Sequence, residues 1–67
     1  MTYAEAKAAG YTDAEVSYQR GYVSRKCNPD EQIVREAGGS KKGRLYVLLP
    51  SWISTRYCVR QYLRKED

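Results

Sequence analysis

A chain of 67 residues holds one small domain at most, with a core too modest to enclose a deep catalytic cavity. Histidine is absent, so the usual general base near neutral pH is missing, and Phe is absent, so seven Tyr and one Trp supply the aromatic packing. The net charge of +4 favours an anionic partner: a polyanion, an acidic protein surface or a membrane surface.

That charge is uneven. Four basic side chains face five acidic ones up to Ile33, and eight face three from Val34 onward. The first residues, MTYAEAKAAG, lack the basic and apolar regions of a secretory leader, and no stretch is long and apolar enough to span a bilayer. A cytoplasmic protein without a membrane partner is therefore expected. There, Cys27 and Cys58 are too few for a disulfide framework and are expected as reduced thiols.

Taken in order, Thr2-Tyr3-Ala4-Glu5 fits a capping box, and Gly10 suits the residue after a helix, which predicts a short helix over 3–9. Thr12-Asp13-Ala14-Glu15 repeats the pattern and predicts a second helix from Asp13 to about Arg25. Val16 and Val23 lie seven apart, and Tyr18 and Tyr22 four apart, as helical spacing requires. Gly21 falls inside that helix. The competing reading is a pair of short strands, 15–18 and 22–25, around Gln19-Arg20-Gly21.

Asn28-Pro29-Asp30 marks a turn. Residues 33–37 read as a short strand or one helical turn. Gly38 to Gly43 form a basic tip, and 44–49 are the best strand in the chain. Leu45, Val47 and Leu49 share one face of it, and Tyr46 and Leu48 the other. A hairpin pairing 32–37 with 44–49 is the economical arrangement. Pro50 ends the strand, Ser51 caps, and a closing helix over 52–65 is predicted, with Trp52, Val59, Tyr62 and Leu63 on a core stripe and Arg56, Arg60 and Arg64 on another.

Catalytic and cofactor motifs are lacking. Two separated cysteines without histidine do not make a zinc site, and the glycines of the tip lack the spacing of a phosphate loop. No enzyme and no cofactor is expected. The residues suited to nucleic acid are Ser17, Gln19, Arg20, Ser24 and Arg25 on the second predicted helix, with Lys41, Lys42 and Arg44 in the tip. Arg56, Arg60, Arg64 and Tyr57 suit phosphate or the carboxylates of a protein partner.

The order of these elements resembles the small winged-helix domains of phage excisionases and MerR-type regulators, with Leu45-Tyr46-Val47-Leu48-Leu49-Pro50-Ser51 as the strand-to-helix junction. The resemblance implies an α+β fold of two short N-terminal helices, a hairpin wing and a C-terminal amphipathic helix. It also implies a small DNA-binding accessory or regulatory protein of a phage or mobile element, acting cooperatively or as a homo-oligomer on double-stranded DNA. Ser17, Gln19, Arg20 and Ser24 would then read bases, and Lys41, Lys42 and Arg44 would form the wing. Two alternatives stay open: an inhibitor or adaptor docking on an acidic host protein, and a single-strand or RNA binder using Tyr and Arg.

Overall fold

A computed structural model describes residues 1–41 and 43–65, with Lys41 described by its backbone alone. It holds one short helix, α1 (Tyr3–Ala8), and four strands: β1 (Tyr11–Arg20), β2 (Arg35–Glu36), β3 (Leu45–Pro50) and β4 (Tyr57–Lys65). Single 3-10 turns lie at Pro29–Glu31 and Gly39–Lys41. The strands form one antiparallel sheet in the order β1-β4-β3-β2.

Two of the three helices expected from sequence are therefore strands, and the winged-helix-like layout is overturned. The segment from Asp13 to Arg20 belongs to β1, which pairs along its length with β4, and the chain beyond Gly21 runs without regular structure to the turn at Pro29. The physical reason is that Tyr11, Thr12, Val16 and Tyr18 favour a pleated surface, and a long partner strand outweighs a local capping signal. Likewise, residues 57–65 read Tyr-Cys-Val-Arg-Gln-Tyr-Leu-Arg-Lys, rich in aromatic and β-branched side chains, and they fill the centre of the sheet as β4. Ser51 does cap the chain locally, its hydroxyl accepting from the Ile53 and Ser54 amides, but it caps a turn and no helix follows.

The first helix and the hairpin do form. Thr2 and Glu5 exchange both capping-box hydrogen bonds around α1. β2 and β3 pair through Arg35↔Tyr46 and Glu36↔Leu45, a shorter ladder than 32–37 with 44–49.

Side chains alternate across the sheet. Val47 and Leu63, fully buried, point to the face on which α1 lies, where they pack with Tyr3, Ala6 and Val34. Tyr11, Leu45 and Leu49 close the margin of this cluster. The Tyr3 hydroxyl donates to Asp13 Oδ1, and Lys7 Nζ lies 3.3 Å from Asp13 Oδ2, so α1 is fastened to β1 at its polar end. The N-terminus is also held to the chain before β2, by Tyr3 N–H to the Gln32 carbonyl (2.8 Å) and Val34 N–H to the Met1 carbonyl (2.9 Å). Burying a side chain such as Leu63 contributes about 1.5–3 kcal/mol, and this cluster is the main apolar stabilisation of the molecule.

A β-bulge interrupts β1 between Asp13 and Val16, so that Ala14 and Glu15 together oppose Tyr62. The Gln61 amide donates to the Ala14 and Glu15 carbonyls, both at 3.4 Å, and so braces the bulge.

Candidate nucleic-acid interface

The register sets the chemistry of the second face. Arg60 and Arg64 of β4 lie on the side opposite Leu63, as do Tyr46 of β3 and Arg35 of β2. Arg44, one residue before β3, has the same parity, and its guanidinium pairs with Glu15 across β4. Ser17 and Gln19 of β1 share this face, opposite Arg60 and Cys58. α1 packs on the other side, so we call this the open face. Among the described residues it carries four arginines and one glutamate, whereas Glu5, Asp13, Glu36, Asp30 and Glu31 lie with α1, the helix-side strand positions and the first 3-10 turn, against Lys7, Arg20 and Lys65 there. The unevenness of charge along the sequence thus becomes a difference between two faces.

Arg60 is held against the aromatic side chains of this face. Its guanidinium carbon lies 4.2 Å from the centroid of the Tyr46 ring, a cation–π stack. Its Nη1 donates to the Tyr62 hydroxyl at 3.5 Å. The Tyr46 and Tyr62 rings sit 6.2 Å apart and tilted by 57°, the offset geometry that aromatic pairs favour. Nε of Arg60 is buried without an acceptor. One long hydrogen bond uses little of a five-donor fork, which leaves capacity for an outside anion.

The expected nucleic-acid residues divide. Ser17, Gln19 and Arg44 fall on the open face with Arg60 and Arg64. Arg20 pairs with Tyr57 and points to the helix side. Ser24 and Arg25 lie in the irregular segment after β1, where the Ser24 hydroxyl accepts from the Lys26 amide. Lys41 ends the second 3-10 turn, and Lys42 lies outside the described residues. The recognition helix that was to carry Ser17 to Arg25 does not exist. Arg56 sits in the β3–β4 turn, its carbonyl accepting from the Gly21 amide at 3.1 Å, and Tyr57 is on the helix side, so neither shares a surface with Arg60 and Arg64.

Sequence reasoning missed Arg35, Tyr46 and Tyr62 as site residues. Strict alternation around Leu45, Val47 and Leu49 already placed Tyr46 on the far side of its strand, and the same count along 57–65 would have gathered Arg60, Tyr62 and Arg64. A second exposed cluster was hidden by the helical reading. Trp52, assigned to a core stripe, is 76% exposed and lines a groove with Leu49, Pro50 and Val59, while Ile53, Tyr18 and Tyr57 form an apolar end around the β3–β4 turn that continues through Tyr22 to Arg20 and Arg56.

Among the described residues, no group of three His, Cys, Asp or Glu is placed to hold a metal ion, and no helix is long and apolar enough to cross a membrane. Cys27 and Cys58 are free thiols. No protein-family model, curated protein or solved structure matches the chain.

Proposed function

We propose that the protein is a small non-enzymatic nucleic-acid-binding domain that lays its open sheet face along the phosphates of a duplex. The observation that carries this reading is the segregation of Arg35, Arg44, Arg60 and Arg64 onto a face that no helix covers. Arginines in fixed positions suit phosphate oxygens, and a broad sheet face meets several at once. The tyrosines favour a duplex over a single strand. Tyr62 is only 8% exposed and the Tyr46 ring is already occupied by Arg60, so neither is free to stack on a splayed base. Ser17 and Gln19, at the edge of the same face, are the polar side chains best placed to touch base edges or sugars, so sequence preference is expected to be weak.

Salt titration of binding to a labelled 20-mer duplex, with the matching single strand as comparison, tests this. Log affinity should fall linearly with log salt, and Arg35→Ala or Arg60→Ala should reduce the slope by about one each. Absence of duplex binding at low salt, or equal slopes in those variants, would overturn the reading.

The apolar end supports a second reading, that of a protein adaptor. Ile53, Tyr22 and Tyr57, with Arg20 and Arg56 beside the two tyrosines, have the make-up of a protein-docking patch, with aromatic anchors and arginines at the rim. If duplex binding fails, capture of a partner that is lost on Ile53→Ser with Tyr57→Ser would favour it.

A further inference from the structure

β1 is an edge strand ten residues long, and its outer side has no neighbour in the sheet. Such an edge is a template for another strand; β1 lacks proline and lysine and is long, and a partner has to accommodate its one bulge and the charges of Asp13, Glu15 and Arg20. It also exposes Val16 (51%) and Tyr18 (56%) on one face. We infer that β1 pairs antiparallel with β1 of a second copy, about a two-fold axis at Ser17, to make one continuous eight-stranded sheet.

The sequence of the strand is complementary to itself in that register. An antiparallel partner places its side chains on the same face as those they oppose, and Ser17 opposes itself. Val16 then meets Tyr18 of the second copy, and Tyr18 meets its Val16. These are aromatic–β-branched pairs, among the favourable cross-strand combinations. The bulge decides what happens further out. Because Ala14 and Glu15 occupy a single position along the ladder, Gln19 of the copy falls opposite them, and Arg20 of the copy falls opposite Asp13. A regular strand would set Arg20 against Ala14 instead.

The two ends of β1 are thereby joined as two Asp13–Arg20 charge pairs and two Gln19–Glu15 contacts. Asp13 is available for this. Its side chain is 44% exposed, and a carboxylate that takes Lys7 and Tyr3 still has lone pairs to offer. Other registers lose this match. Centring on Val16 opposes Val16 to itself and moves Arg20 away from the acids. The two-fold stands perpendicular to the sheet, so both open faces look the same way. The pairing does not depend on what those faces bind.

A strand-pair interface is smaller than the roughly 1,200 Å² of standard complexes, so weak association is expected. Equilibrium sedimentation of the unmodified chain up to about 1 mM, the scale of weak contacts, should show monomer converting to dimer. Tyr18→Lys and Arg20→Asp should each weaken association at least about tenfold, about 1.4 kcal/mol, with an unchanged circular dichroism spectrum. Residues opposed across antiparallel strands have Cα atoms about 4.5–5.5 Å apart, within disulfide reach. In a Cys27→Ser, Cys58→Ala background, needed because Cys58 opposes Gln19 within one copy, Ser17→Cys should therefore oxidise to a covalent dimer, while Thr12→Cys and Gln19→Cys stay monomeric. A chain that remains monomeric throughout, or cross-links no faster at 17 than at 12 or 19, would overturn the inference.

Discussion

At the scale of single residues, Gly21 shows most sharply how the two readings of the chain differ. Inside a helix, replacing it with alanine would stabilise the protein by about 1 kcal/mol. Here it ends β1 with φ near +151°, and an added Cβ would meet the Cys58 sulfur at 3.4 Å. Gly21→Ala is therefore expected to destabilise by about 1–2 kcal/mol, measured by urea unfolding, because the backbone is strained for any L side chain. Tyr3 is the second such residue. Burial, and then its hydrogen bond to Asp13, raise its pKa above the usual tyrosine value, so the folded state holds the phenol proton more tightly than the unfolded chain does. That stabilisation is complete below the unfolded value near 10 and is lost as pH rises through the folded value. The stability advantage of the unmodified protein over Tyr3→Phe, measured by urea unfolding, should shrink as pH rises above about 10. Near neutral pH, Tyr3→Phe should cost about 1–3 kcal/mol for the lost bond to a carboxylate.

At the scale of elements, the legible parts were those whose signals are local. The Thr2/Glu5 capping box and the alternation of 44–49 needed no distant partner, and both elements formed. β1 and β4 were misread because a spacing of four fits a helix face and also, being even, one face of a strand; Arg60 and Arg64 share a face either way. What sequence spacing could not convey is that 57–65 lies between two partners, which makes strand the cheaper state for it and for 11–20. The candidate site was legible to the same degree. Arg44, Arg60 and Arg64 were recognised, but Arg35 and Tyr46 were missed and Tyr62 was assigned to a core stripe. This assignment can be tested through Trp52, since the helical reading would make it a core residue. In the sheet, Trp52→Ser should change stability by no more than about 0.5 kcal/mol, whereas Leu63→Ala should cost about 2–5 kcal/mol in the same denaturation experiment.

At the scale of the whole molecule, binding should depend on how Arg60 is held as well as on its charge. Arg60→Lys keeps the cation but loses the planar stack on Tyr46 and the fork that can grip two oxygens. Duplex affinity measured by anisotropy is expected to fall in Arg60→Lys with the salt slope retained, whereas Arg60→Ala also reduces the slope by about one. The protein spans about 35 × 26 × 15 Å, so it is a plate. Its thinnest dimension is nearly twice the Debye length of about 8 Å at physiological ionic strength. Carboxylates on one side are therefore screened from an anion arriving on the other. In dilute salt that isolation fails, and the plate acquires a dipole across its thickness that turns it broadside to an approaching anion before any contact is made.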